Sequence, residues 1–390
     1  MSSLGAEFLE GKLTCFEEGV VLNNELWYVA VPRAWLCKMD LLDYKVQVVC
    51  EIPFMDVNAA YTYNVVAVYD NKLILMPKYA EDVLIYDIGK DEFEKIELKK
   101  ALRTSGKDAG NAVKFRAYAL KDNVLWMMPQ SSCCILEYNL LTGKLIEHVD
   151  WYEQFERYNW ENVNLFGKGI MAENSLWIPC YQLNAIVEFR IETKESILHF
   201  IGSEKDCYSA ITYTNGKFWL FNAFQNSLCK WNRESGIVTE CIVLNKEYEE
   251  DDVQLSEEMK KYKVNCMYAL NNKIVLLPSQ ANQCILVDIG KKRGQTLFKK
   301  NKGASFIGIC DWCKGKIICP SQNENSLVII SIDEKKAQSI KWSVILEDDK
   351  VSCDESLTKY VLDIKRIKRN RVQSVNINSF GSGIYKVIKG

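Results

Sequence analysis

The chain has 390 residues, 48% of them hydrophobic, with 49 Lys and Arg against 51 Asp and Glu. Those values are ordinary for a globular protein with a large core, and a net charge of −2 gives no general attraction to nucleic acid or to a membrane surface. No stretch approaches the roughly 20 apolar residues that span a bilayer, residues 1–13 hold no basic region followed by a long apolar run, and fifteen Cys without a leader point to reduced thiols in a cytoplasm.

Along the chain a two-residue turn recurs seven times: Asn23-Asn24, Asp70-Asn71, Asp122-Asn123, Glu173-Asn174, Asn215-Gly216, Asn271-Asn272 and Lys314-Gly315. One residue later comes a large apolar residue followed by Trp or a β-branched residue: Leu26-Trp27, Leu73-Ile74, Leu125-Trp126, Leu176-Trp177, Phe218-Trp219, Ile274-Val275 and Ile317-Ile318. Asn-Asn, Asp-Asn and Asn-Gly tolerate the positive φ that two-residue hairpins need to follow strand twist. The second turn residues lie 47, 52, 51, 42, 56 and 43 positions apart.

The second repeat defines the unit. Asn64 to Tyr69 is predicted as strand A, Leu73 to Met76 as strand B, Val83 to Tyr86 as strand C and Phe93 to Leu98 as strand D, an up-and-down sheet. The B strands are continuously apolar, which implies burial on both faces. Pro32, Pro77, Pro129, Pro179, Pro278 and Pro320 stand at the ends of B strands, where a residue without an N–H helps to stop the ladder; the fifth repeat has Asn222 there. The C strands end in pairs such as Met39-Asp40, Tyr86-Asp87, Tyr138-Asn139 and Val287-Asp288, and Asp or Asn caps a following turn. D strands such as Lys144 to Val149 are more polar and suit an outer rim.

A period of roughly 40–50 residues built of strands marks a propeller. On the unit "N-x-L-W-x-x-P … L-x-x-Y-D" the chain resembles the β-propeller superfamily, loosely its kelch-type and virginiamycin B lyase-like members. It lacks the paired glycines of kelch repeats and the Gly-His and Trp-Asp signatures of WD40 repeats. The expected fold is all-β: a seven-bladed propeller of four-stranded antiparallel blades over residues 1–345, with a charged extension over 346–390. In that extension Glu355 to Ile367 has the spacing of an amphipathic helix, with Leu357, Tyr360, Val361, Ile364 and Ile367 on one face. Ring closure has two readings: the seventh repeat supplies its own D strand, Gln338 to Ile345, or Glu7 to Phe16 supplies it.

The chemistry carried by the sequence is sparse. Resemblance to virginiamycin B lyase implies a lyase mechanism with a channel histidine and magnesium. The two His, His148 and His199, fall instead in D strands of adjacent repeats, so that activity is not carried over and no cofactor or metal is expected. Cys310-Asp311-Trp312-Cys313 lies at an A–B hairpin without the second pair of ligands that a zinc site needs. No phosphate-binding loop or nucleophile elbow occurs.

A–B and C–D turns are short and alike, whereas B–C and D–A connections are long and variable, and variable loops on a rigid scaffold are where binding resides. Candidate binding residues on that face are Tyr181, Gln182, Asn184, Phe224, Gln225, Asn226, Gln280, Gln322 and Asn325, because amides supply donors and acceptors. Trp151 and Tyr152 join them, since aromatics with polar edges make anchors. Each has a structural reading as well: amides satisfy loop backbone, and Trp151, Phe155 and Tyr158 fit one helical face packed on the ring. The expected function is a non-enzymatic scaffold binding a protein or peptide partner, with no nucleic acid or membrane partner. The alternative is a propeller that binds a glycan or polar small molecule, or a lyase- or hydrolase-type enzyme with a channel-mouth site.

Overall fold

The left-handed turns that the sequence encodes are present: φ is 53° and 63° at Asn23 and Asn24, 49° and 60° at Asp122 and Asn123, and 48° and 61° at Glu173 and Asn174. The computed structural model describes residues 15–30, 34–53, 62–98, 113–155, 165–248, 255–299, 308–313, 315–320 and 326–345. Within them each hairpin opens a four-stranded antiparallel sheet in the order A-B-C-D. The seven sheets span 19–51, 63–97, 115–148, 170–200, 208–243, 264–299 and 310–341, here called blades 1 to 7. The A strands of successive blades from 1 to 6, and those of blades 7 and 1, neighbour one another, so these strands surround the axis and the D strands form the rim. The chain is a seven-bladed β-propeller.

Strand limits follow the sequence closely. In blade 2 the strands are Tyr63–Tyr69, Lys72–Pro77, Asp82–Asp87 and Glu92–Glu97, within one or two residues of expectation. The C–D turns are capped as anticipated: the Oδ1 atoms of Asp40, Asp87, Asn139, Asn232 and Asp288 accept backbone N–H groups two or three residues later. Blade 4 has Arg190 at that place and makes the turn with Lys194 at φ 63°.

Burial on both faces explains the apolar B strands. Trp126, Met128 and Ile135 of blade 3 pack on Leu176, Val187 and Phe189 of blade 4, and Val275, Leu286 and Cys284 of blade 6 pack on Ile317, Val328 and Ile330 of blade 7. Full burial of one such side chain contributes about 1.5–3 kcal/mol. The segment Glu257–Lys260 is one helical turn, with Ser256 Oγ accepting the Met259 N–H at 3.4 Å.

The seventh repeat supplies its own D strand, as the first of the two readings has it, with limits of Lys336–Lys341 in place of Gln338 to Ile345. The chain then passes to blade 1, where Ser343–Ile345 lies parallel to Lys45–Glu51 as a fifth strand. Trp342 forms the pivot: it is buried 6.0 Å from Phe16, which stacks on Tyr28 at 4.0 Å. Residues 7–14 and 346–390, which carry the alternative closing strand and the expected helix, lie outside the described residues.

Trp342→Ala should therefore loosen the junction of blades 7 and 1. The expected loss is about 3 kcal/mol of unfolding free energy, the low end for removing a buried Trp, read from urea denaturation. A midpoint equal to that of the wild type would show that the junction does not depend on this contact.

Candidate functional site

Six residues before each A–B turn the chain enters the innermost strand. These seven positions hold Glu17, Asn64, Arg116, Gly167, Ser209, Asn265 and Gly308. In blades 2, 3, 5 and 6 this residue is the extra residue of a β-bulge: the ladder passes from Tyr63–Pro77 to Val65–Met76, from Phe115–Pro129 to Ala117–Met128, from Tyr208–Asn222 to Ala210–Phe221 and from Val264–Pro278 to Cys266–Leu277. In three of those blades the bulge lies beside a Pro at the end of strand B, and bulges re-aim a side chain out of the regular alternation. Where the position is glycine, space dictates it. A Cβ on Gly167 would lie 2.7 Å from the Ser209 carbonyl oxygen, and one on Gly308 would lie 1.9 Å from Glu18 Cγ and 2.5 Å from the Glu17 carbonyl oxygen.

A network of charges lies at this end of the axis. Lys78 Nζ lies 2.5 Å from Glu17 Oε1, and Lys168 Nζ lies 2.7 Å from Glu18 Oε1. Glu18 leads into blade 1 and Lys168 into blade 4. These blades stand three apart in a ring of seven, so their ion pair crosses the axis. Arg116 of blade 3 donates from Nη1 to Gln130 Oε1 at 3.3 Å, and Lys114 donates to the Tyr79 carbonyl at 2.9 Å. Glu17, Glu18, Lys78, Lys114 and Gln130 are all buried. Desolvation pushes the Glu18 carboxyl above the usual glutamate range, against the pull of Lys168 and Arg116. Burial likewise draws the Lys78 ammonium below the usual lysine range, opposed by Glu17.

The residues singled out from sequence take varied places around this mouth. Tyr181 is buried with its ring 5.0 Å from Tyr262, and burial pushes its phenol up. Gln182 Oε1 accepts from Lys261 Nζ at 3.4 Å. Asn184 Nδ2 donates to the Ile201 carbonyl at 3.2 Å. Asn226 is buried at φ 47° and accepts from Lys263 Nζ. Phe224 packs on the core between blades 5 and 6. Gln225 is exposed, with Nε2 on Asp206 Oδ1 at 2.7 Å. Gln280 is half-buried and its N–H meets the Tyr262 carbonyl at 3.2 Å. Trp151 and Tyr152 belong to the 3-10 helix Asp150–Phe155 and are buried with Phe155 and Phe166, turned into the ring. Gln322 and Asn325 lie outside the described residues.

Sequence reasoning did not find Glu17, Glu18, Lys78, Arg116 or Lys168. For Glu17, Glu18, Arg116 and Lys168 the available signal was a charged residue five or six places before the turn, and for Lys78 a charge directly after the Pro that ends strand B. The histidines lie in D strands: His148 Nε2 is 2.8 Å from Glu137 Oε2 and His199 Nε2 is 2.8 Å from Glu188 Oε2. Among the described residues no group of three or more His, Cys, Asp or Glu is placed to hold a metal ion.

No family model and no curated protein matches the chain. Solved structures do. A computationally designed protein, Ika8, aligns over 88% of this chain and 94% of its own, at 12% identity and a TM-score of 0.54. Virginiamycin B lyase from Staphylococcus aureus, in a catalytically inactive His-to-Ala form with quinupristin, aligns over 80% of this chain and 93% of its own, at 14% identity and a TM-score of 0.56. YCF48 bound to D1 peptide aligns over 82% and 91%, at 12% identity and a TM-score of 0.56. At such identities the likeness is one of fold.

The buried Glu188 carboxylate supports an acid-stability test. Burial alone would raise its pKa, but His199, Arg233 and Arg190 together hold it below the usual range. A carboxyl depressed in the folded state stabilises the fold above its unfolded pKa of about 4.3, and that stability disappears as pH falls through the folded value. Glu188→Gln should cost roughly 3 kcal/mol at pH 7. The gap in melting temperature between variant and wild type should narrow as pH falls from about 5 toward 3; a constant gap would contradict this role.

Proposed function

We propose that this chain is a non-enzymatic propeller scaffold that binds a protein or peptide partner through the face carrying its B–C and D–A connections. One observation carries the reading: the Glu18–Lys168 ion pair, 2.7 Å long, joins blades 1 and 4 across the axis. A ligand entering the channel would have to separate this pair, in which Glu18 is buried and Lys168 half-buried, and breaking a fully buried pair costs about 3–5 kcal/mol, an upper bound here. The loop face around that closed axis is left as a broad surface.

Two further facts support the same reading. YCF48 with D1 peptide and virginiamycin B lyase with quinupristin indicate that this fold serves both peptide binding and catalysis. The lyase is inactive when a His is replaced by Ala, whereas both His of this chain are in D strands, paired with Glu137 and Glu188. The competing reading, a glycan or polar small molecule at the mouth, rests on amides such as Gln182 and Gln225, and these already hydrogen-bond to Lys261 and Asp206.

Affinity capture with the intact protein tests the proposal. Gln182→Arg combined with Gln225→Arg alters the loop face. Leu42→Asp combined with Leu141→Asp alters exposed C–D turn positions on the opposite face. The expected outcome is that the first pair loses the captured partner, by more than roughly tenfold in recovery, and the second retains it. Capture lost with the second pair alone would place the partner on the wrong face.

A further inference from the structure

At three joints a cation from the C–D turn of one blade reaches a carboxylate of the blade before it. Lys194 Nζ lies 2.8 Å from Glu137 Oε2, Arg233 Nη2 lies 2.5 Å from Glu188 Oε1, and Lys292 Nζ lies 2.9 Å from Glu240 Oε1. The joint of blades 6 and 7 keeps the cation without the acid. Lys335 holds the same turn position as Lys194 and Lys292, with φ of 56° against 63° and 51°. The cross-strand pair Trp126–Glu137 of blade 3 is Val275–Leu286 in blade 6, and Gln295 stands opposite Leu286.

The outer edge of blade 6 opens there into a groove of about 490 Å³, where Lys246, Lys273, Lys291, Arg293 and Lys335 outnumber Glu247 and Asp288. A second groove of about 410 Å³ shares Lys335 and continues past Lys316 and Lys336, the latter 3.9 Å from Glu334. Lys273 pairs with Asp333 at 3.4 Å. Among the described residues no carboxylate lies within ion-pair distance of Lys246, Lys291, Arg293 or Lys335. In a chain of net charge −2 this is, among the described residues, a local excess of positive charge.

Strand D of blade 6, Arg293–Lys299, is bonded on one side to Gln283–Asp288, and among the described residues no strand pairs with its other side. It is seven residues long, as is strand D of blade 1, Lys45–Glu51. On blade 1 the corresponding edge is occupied by Ser343–Ile345. The fold thus accepts a fifth strand at the rim of one blade and offers, among the described residues, an edge of equal length on another, flanked by Lys291, Arg293 and Lys335.

We propose that strand D of blade 6 is a second docking site, taking an extended acidic segment of a partner protein as a fifth strand. Main-chain hydrogen bonds to Arg293–Lys299 supply affinity, and carboxylates on alternate residues meet Lys291, Arg293 and Lys335, the division of labour usual in strand addition. The site is at the rim and stands or falls independently of the loop-face partner.

The probe is a fluorescently labelled decapeptide of alternating Glu and Val, with an alternating Gln and Val peptide as its neutral counterpart. The full-length protein should bind the acidic probe saturably and more weakly at high salt. Arg293→Glu combined with Lys335→Glu should weaken binding at least roughly tenfold while leaving the melting temperature unchanged, since both side chains are exposed. Hydrogen exchange should slow across 293–299 when the probe is bound. Equal affinity for the neutral peptide, no binding at about 1 mM, or protection confined to another blade would each overturn the proposal. Self-association of the protein that the same substitutions abolish would assign the edge to a second copy and overturn it too.

Discussion

Burial of every sheet on both faces is the constraint from which the architecture follows. The B and C strands carry apolar side chains in both directions, as with Trp126 and Met127, which enter different clusters on opposite sides of blade 3. A sheet of this kind is stable only between two others, and a closed ring gives all seven sheets two neighbours while leaving only short outer edges. Closure therefore matters more than any single blade. Here it rests on Trp342 against Phe16 and on Ser343–Ile345 beside blade 1.

Closing the ring crowds the innermost strands, and the polar residues on them are carried out of water. Burying charges is costly unless they are paired, and a buried pair is itself weak evidence of net stabilisation. Its consequence here is geometric. Glu18 and Lys168 tie opposite sides of the ring together, while Lys78 pairs with Glu17 and Arg116 bonds to Gln130. On the proposed reading, the accessible chemistry of such a propeller lies on surfaces: the variable loop face and the rim.

Much of the fold was legible because its determinants are local. Asn23-Asn24 and its equivalents require positive φ, Asp87 and Asn139 cap turns within three residues, and Pro77 and Pro129 stop strands where they stand. The site was less legible because its determinants are not local. Arg116 is one polar residue in an apolar strand, and only the bulge beside Pro129 turns it to the axis. Glu18 and Lys168 are 150 residues apart, and nothing in either segment announces the other. Trp151 and Tyr152 had two readings from helical spacing, and the position of Phe166 in the folded ring places them among core side chains. The passage of the chain from blade 7 to blade 1 was also hidden, because Gln338 to Ile345 reads as one continuous strand until Trp342 divides it.

The closed axis is the claim on which the functional reading stands, and a double-mutant cycle on Glu18 and Lys168 tests it most directly. Glu18→Gln, Lys168→Met and the double variant would be unfolded in urea and their free energies compared. The ion pair across the axis requires a coupling energy well above the roughly 0.2–1 kcal/mol of an exposed pair, with the double variant less damaged than the sum of the two single variants. A coupling indistinguishable from zero would mean that the two charges do not meet, and that the channel is open to a ligand.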